Sequence, residues 1–248
     1  MTIIRDFFRR RRVGRHLRDH GPVFEFHGLT VRGPDAMDIA LANALMKSKY
    51  EVEEADFVRT HLPSDRPVIE LGGSLGAISA LIGSRLEPGV PHLVVEANPE
   101  LVAICQENAS QNGARPDTRV IGAALSYGGT DVSFTIGANQ HVSRLTSTPG
   151  KVQQGRRVTV ATITLAALHA QLGAPDGYSL VCDIEGAEAE MVARDAAVLR
   201  QAGFILLETH PRFYGGGPEE AKALCAGIEA LGFETLAASG DVVVFRRL

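Results

Sequence analysis

The sequence predicts an α/β fold, an open and largely parallel sheet with helices on both faces. Three observations predict it. From residue 68 onward, short β-rich runs alternate with segments of helical composition, the pattern of strands joined by helical crossovers. The first run, Val68 to Leu71, leads into a glycine cluster, as at a strand-to-helix turn. The last two runs, Phe233 to Ala237 and Asp241 to Arg246, lie only a few residues apart around Ser239-Gly240. A connection that short cannot make a parallel crossover, so this pair is an antiparallel hairpin.

In chain order, Pro34 to Met46 and Glu51 to His61 have helix-like spacing, and residues 1–63 are expected to form a basic and helical cap. Residues 64–248 form the sheet domain. Ala77 to Leu86 reads as the helix after the glycines, and His92 to Glu96 as the second strand. Pro99 to Asn112 reads as a helix with Asn98 as N-cap, Pro99 in its first turn and Gly113 as its stop. Arg119 to Ile121 begins a third strand. Residues 126–163 break the rhythm, because the alternation in Val132 to Ile136 and in Arg157 to Ile163 suggests an inserted antiparallel pair. The polar loop between them, Gly137 to Gly155 with His141, is either an active-site cover or a disordered segment. Strands resume at Tyr178 to Asp183 and Phe204 to Glu208.

Composition bounds the function. A chain of 248 residues with 45% hydrophobic and 22% charged residues buries about 72% of its extended surface, enough for one large core. The three cysteines, Cys105, Cys182 and Cys225, form no C-x-x-C pair, so a disulfide framework and a zinc ribbon are both excluded, and a reducing cytoplasm is the expected location. No apolar run reaches the length of a membrane span. Residues 1–20 hold seven arginines against Asp6 and Asp19, a charge of +5, which leaves −9 on the rest of a chain whose net charge is −4. A basic arm of this kind suits an anionic membrane surface, a nucleic acid or the protein's own acidic body, as well as plain solvation. Solvation or docking on an acidic neighbour is the expected reading. A dimerisation arm, giving a homo-oligomer through this segment, and a disordered tail share its composition. The acidic body argues against nucleic acid as a partner.

The chemistry concentrates at the ends of the strands. Glu70-Leu71-Gly72-Gly73-Ser74-Leu75-Gly76 reads E-x-G-x-x-x-G. Ser74 stands where a dinucleotide fingerprint needs its second glycine, which weakens a nicotinamide reading. An acid followed by a glycine turn suits a ligand with an amino-acid end and a nucleoside. The bland alternative is a turn that merely needs glycine. Glu96 ends the second strand, where open α/β sheets place the carboxylate that accepts ribose hydroxyls; otherwise it is an acid ahead of a helix N-terminus. Asp183-Ile184-Glu185-Gly186-Ala187-Glu188 and Glu208-Thr209-His210-Pro211 follow two further strands, so Asp183, Glu208 and His210 share the carboxyl edge. Such a cluster suits a general base, with a histidine tuned near neutral pH, or an oxygen-rich site for a divalent ion at Asp183 and Glu208. The alternative is a histidine that only bonds a loop. Glu188 and Glu190 read as solvated acids on the next helix.

Together these segments resemble the FkbM-type S-adenosylmethionine-dependent methyltransferases over roughly residues 50–246. The resemblance rests on Tyr50-Glu51 with Glu54, Val68 to Gly76, Val95 to Pro99, Asn108 with Asn112-Gly113, Ala123-Ala124-Leu125-Ser126, Val181 to Glu188 and Glu208 to Pro211. It implies a class I methyltransferase, Rossmann-like fold of seven strands with the last antiparallel. It also implies S-adenosyl-L-methionine as cofactor and in-line methyl transfer to a hydroxyl of a small molecule such as a sugar or polyketide. Carried over, Tyr50 and Glu51 belong to the cofactor cover, Glu70, Gly72, Gly73, Ser74 and Gly76 to the methionine-side turn, Glu96 with Ala97 and Asn98 to the ribose end, Ala123 and Ala124 to the adenine edge, and Asp183 to the floor. His210 is the expected base, Asp183 the next candidate, and a cation such as Mg²⁺ between Asp183 and Glu208 the third. Gly73 replaces a common alanine, a change expected to be sterically free. Leu165-Ala166-Ala167 and Tyr127 depart from the family pattern. A nicotinamide oxidoreductase and a non-catalytic nucleoside-binding module are the competing functions. The absence of Pro-Pro-Tyr and Pro-Cys motifs counts against nucleic-acid methylation.

Overall fold

A computed structural model describes residues 2–111, 117–137, 143–145, 155–173 and 175–248. Most of the Gly137 to Gly155 loop, including His141, and the helix stop at Asn112-Gly113 lie outside them.

The chain opens with α1 (Thr2–His20), the hairpin β1 (Val23–Phe26) and β2 (Leu29–Arg32), α2 (Ile39–Leu45) and α3 (Val52–His61). Then follow β3 (Val68–Leu71), α4 (Ala77–Arg85), β4 (His92–Glu96), α5 (Val102–Gln111) and β5 (Thr118–Gly122). Next come β6 (Ala124–Leu125), β7 (Asp131–Gly137), β8 (Ser143–Leu145) and β9 (Gly155–Ile163). The remainder is α6 (Leu165–Gln171), β10 (Tyr178–Cys182), α7 (Glu188–Arg194), α8 (Ala196–Leu199), β11 (Ala202–Glu208), a 3₁₀ turn (Pro211–Phe213), α9 (Pro218–Glu229), β12 (Phe233–Ser239) and β13 (Val242–Arg247).

Seven strands form the main sheet in the order β12-β13-β11-β10-β3-β4-β5. β13 is antiparallel to both of its neighbours, while β3, β4, β5, β10 and β11 pair in parallel. This is the expected Rossmann-like sheet with a reversed last strand. Its central strands are buried along their whole length, as strands covered on both faces must be. Alternate residues therefore feed two cores. Val68, Val181 and Leu206 pack with Val58 of α3 and Ile78 and Ile82 of α4, while Ile69, Leu71, Leu180 and Leu207 pack with Leu168 of α6, Met191 of α7 and Ile228 of α9.

The insertion is a second sheet, β6-β9-β7-β8, in which β7 runs antiparallel to β9 and β8. Phe134 and Ile136 of β7 pack with Ala124 and Ala187, which brings this sheet to the rim of the main one.

The first 63 residues depart most from expectation. The arginine-rich start is a 19-residue helix, not a tail, and its Val13 is buried in the same core as Phe24, Phe26 and Leu41. The β1–β2 hairpin was not expected. Its turn residues His27 and Gly28 both adopt positive φ, the signature of a tight hairpin turn, in a segment too short to show much alternation. α2 is shorter than Pro34 to Met46 because Asp38 caps it, accepting from the amides of Ala40 and Leu41. Helix α5 likewise starts after Pro99, since the Asn98 side chain closes a turn on the amide of Glu100 at 3.0 Å. No helix among the described residues is long and apolar enough to cross a membrane.

Candidate functional site

The chain leaves β3 outward to β4 and returns on the other side of β3 as β10. In open α/β sheets a crevice opens outside the carboxyl ends of the strands at such a switch point. Here it is a cleft of about 370 Å³. Five strands contribute to it: Gly72 and Ser74 after β3, Glu96 and Ala97 at β4, Ala123 and Ala124 after β5, Asp183 and Glu185 after β10, and Glu208, His210 and Arg212 at β11. Glu51 ahead of α3 and Phe134 of β7 close the sides.

The turn after β3 is fixed by close approach. Gly72 has φ +93°, and a Cβ there would lie 1.7 Å from the backbone oxygen of Asp183. Only glycine lets the β3 and β10 turns touch. The amides of Gly72 and Gly73 both donate to the Val95 carbonyl, at 2.9 and 3.0 Å. A Cβ on Gly73 would stand 2.5 Å from Cγ1 of Val94 and 2.7 Å from Sγ of Cys105, both buried. Glycine is therefore the residue this position has room for. Three non-glycine residues of the cleft, Glu51, Ser74 and Glu185, also hold positive φ, at 43°, 46° and 55°. Left-handed backbone costs about 1–2 kcal/mol per residue, and such strain tends to collect at functional sites.

At one end Glu96 spans the turn. Its oxygens accept from the amide of Ser74 and the amide of Asn98, each at 2.6 Å. Burial pushes its pKa up to about 7 against the pull of those two bonds. Each carboxylate oxygen keeps a second lone pair for a ligand.

At the other end acids crowd together. One oxygen from each of Glu51, Glu54, Asp183 and Glu208 lies within 4.8 Å of the others, and Asp183, Glu208 and His210 make a second such group. Burial, then the charges of Asp183 and Glu208, raises Glu51 to about 8, and burial followed by Asp183 raises Glu208 to about 7. Glu54, 4% exposed, is pushed well above the usual carboxylate range by burial and then by Asp183.

His210 is clamped behind this cluster. Nδ1 lies 2.7 Å from Oε1 of Glu188 and Nε2 lies 3.2 Å from Oδ1 of Asp183. Nδ1 hydrogen-bonds Glu188, while Asp183 stands at ion-pair distance from Nε2, and two carboxylates so close favour the charged ring. Burial pulls its pKa down, but Asp183 and Glu188 outweigh that, and it stands at about 11. A histidine poised near neutral pH is therefore not what the structure holds. The two neighbouring acids hold the ring on the side of its charged form.

Glu188 is wholly buried, not a solvated acid. It also accepts from the hydroxyl of Tyr214 at 3.0 Å and the amide of Gly186 at 3.2 Å. Its place in the first turn of α7 gave no cue, since only the fold brings His210 over it.

Five expected ligand contacts do not line the cleft. Glu70 has the parity of Val68, so it faces α4, where Ser79 Oγ at 2.7 Å and His92 Nε2 at 2.8 Å take its oxygens. Gly73 and Asn98 sit behind the turn. Gly76 approaches the backbone of Cys105, with φ +79° and no room for a Cβ. Tyr50 is buried and donates to Ser74 Oγ at 3.3 Å, which makes it a support for the turn. Conversely, Phe134 and Arg212 join the cleft unexpectedly, and Glu185, which needed a turn after β10 to reach the side of Asp183, lines it too. Arg212 pairs with Glu185 at 3.4 Å and stacks over Phe213; its position just after His210-Pro211 was the available signal.

No protein-family model matches the chain, and no curated protein does. Among solved structures it is similar to a protein in the NADB-Rossmann superfamily from Streptococcus agalactiae, with 11% identity and a TM-score of 0.46 over 79% of this chain and 68% of that one. It is also similar to Aeropyrum pernix fibrillarin in complex with natively bound S-adenosyl-L-methionine, with 15% identity and a TM-score of 0.44 over 80% and 74%. A third is the precorrin-6y C5,15-methyltransferase from Geobacter metallireducens, with 14% identity and a TM-score of 0.41 over 80% and 87%.

Proposed function

We propose that this protein is an S-adenosyl-L-methionine-dependent methyltransferase of the FkbM type that methylates a hydroxyl on a small molecule. The observation that carries the reading is the polarity of the cleft. A lone carboxylate, Glu96, stands at the end of β4 where a ribose diol is accepted, and a crowd of carboxylates stands at the other end. S-adenosyl-L-methionine has the matching order, a nucleoside followed by a sulfonium and an ammonium. A nicotinamide cofactor matches worse, since its pyrophosphate would bring negative charge to Glu51, Asp183 and Glu208.

Glu96, Ser74, Ala123 and Ala124 would hold the nucleoside, and Gly72, Asp183 and Glu51 the amino-acid end. The cofactor supplies a methyl carbon already activated by a cationic sulfur. Everything else falls to the chain. Glu208, near the mouth and with a pKa of about 7, accepts the acceptor hydroxyl's proton on its carboxylate, work worth about 10²–10⁴ in rate. His210, already protonated, holds Asp183 in place. A hard cation such as Mg²⁺ at Asp183 and Glu208, widened by Glu51 and Glu54, is the second reading of the same acids, favoured by their spacing. The division into a cap, residues 1–63, and a cofactor domain, 64–248, belongs to this proposal, as does the absence of a nucleic-acid partner.

The test is transfer of labelled methyl from S-adenosyl-L-methionine to a panel of hydroxylated sugars and polyketides, with and without EDTA. Labelled ether product that depends on Glu208 supports the reading, and loss of product in EDTA favours the cation. Binding of the cofactor without transfer to any hydroxyl, together with transfer to an amine or an RNA, would overturn the acceptor class.

A further inference from the structure

Helix α1 is anchored to the body along one stripe. Val13 is fully buried, Leu17 packs on the same core, and His16 stacks on Phe24 at 4.9 Å while its Nε2 sits 2.9 Å from the Val23 carbonyl. At 100° per residue the opposite side is equally well defined. Phe7, Arg18, Arg11, Arg15 and Phe8 fall, in that order, within an arc of about 100° facing away from Val13. All five are exposed, Phe7 by 56% and Phe8 by 64%. The two rings meet edge to face at 5.8 Å, and the Arg11 guanidinium lies over the Phe7 ring at 6.0 Å. Arg11 and Arg15 form no ion pair with a described carboxylate, whereas Arg18 pairs with Asp19.

We propose that this face of α1 docks the protein on an anionic lipid bilayer, lying in the plane of the headgroups with Phe7 and Phe8 inserted beside the arginines. Charge complementarity sets the direction, because residues 1–20 carry +5 and the remainder −9. The helix is therefore drawn to a negative surface while the body is held off it. The rings choose the occupant. A bilayer interface offers anions and hydrocarbon along one plane, and α1 presents cations and rings along one face. A phosphate backbone would satisfy the guanidiniums and leave both rings in water. Docking through α1 leaves the cleft's residues untouched.

The experiment is co-sedimentation of the full chain with phosphatidylcholine vesicles, with and without about one third phosphatidylglycerol, at low and high salt. The chain is expected to pellet with the anionic vesicles only, and to be released by high salt. Arg11→Gln with Arg15→Gln should weaken partitioning about 25-fold, at about fivefold per arginine. Phe7→Ser with Phe8→Ser should weaken it with no change of charge. Circular dichroism and the melting temperature of each variant, unchanged because these side chains are exposed, separate lost docking from lost folding. Failure to pellet with anionic vesicles at low salt would overturn the proposal. So would full binding by the phenylalanine variant, or displacement from the vesicles by a nucleic-acid duplex at equal phosphate.

Discussion

Glu188 and His210 form a buried pair in which Oε1 of the acid lies 2.7 Å from Nδ1 of the ring. Neither residue has appreciable contact with water. The pair fixes the charge of the imidazole, and through Nε2 it sets where Asp183 stands at the cleft floor.

Replacing Glu188 by Gln should therefore be severe, because it removes the nearer of the two acids that face the buried ring. Breaking one partner of a buried pair costs about 3–5 kcal/mol, readable by urea unfolding at pH 7. The pH dependence has a definite sign. The folded pKa of His210 is raised to about 11 from 6.5, so its contribution is complete below pH 6.5 and is lost as pH rises from there through 11. The native chain should lose stability over that window, and the Gln variant should lose less.

Gly73→Ala tests the turn. Its Cβ would meet Val94 and Cys105 at 2.5 and 2.7 Å, both inside the packed layer between β4 and α5. Overpacking of this kind costs about 1–3 kcal/mol. For a chain of this length each kcal/mol lowers the melting temperature by about 2–4 °C, which a thermal melt resolves.

Glu54→Gln should do the opposite. Glu54 is buried among acids with its pKa pushed well upward, so ionising it destabilises the fold and the loss grows with pH above the ordinary carboxylate range. The variant should match the native chain near pH 5 and exceed it increasingly toward pH 9, followed by melting temperature. If the acids exist to hold a cation, the same variant binds S-adenosyl-L-methionine more weakly, a stability gained at the expense of function.

Much of this was legible in the sequence because strand ends carry both fold and chemistry. Val68 to Leu71 leads into glycines, and His92 to Glu96, Tyr178 to Asp183 and Phe204 to Glu208 are dense apolar runs that end in acids, so finding the strands also found Glu96, Asp183 and Glu208. What stayed hidden needed three dimensions. The parity of Glu70 is unreadable without knowing which face α4 covers. Glu188 looks like any acid in a helix's first turn, and its burial follows from the path of β11 and the 3₁₀ turn. Gly73 looks replaceable until Cys105, 32 positions on, is found against it. The hairpin of β1 and β2 is held by a core that only the assembled cap supplies.

Glu96→Gln should flatten the pH dependence of cofactor binding. A diol donates to the ionised carboxylate, and burial holds that group near 7, so affinity of the native chain should rise as pH climbs from about 5.5 to 8 and level off above. Titrations of S-adenosylhomocysteine across this range should show the rise in the native chain and lose it in the variant.

The central claim is that the cleft is built for a nucleoside that carries an amino-acid end, with its ammonium toward the acids. Calorimetric titration of the cofactor-stripped chain with S-adenosylhomocysteine tests it most directly, beside Glu96→Ala and an NAD control. Micromolar binding, sharply weakened in Glu96→Ala and absent for NAD, is the predicted result. A well-folded chain that binds NAD, or that ignores S-adenosylhomocysteine altogether, would contradict it.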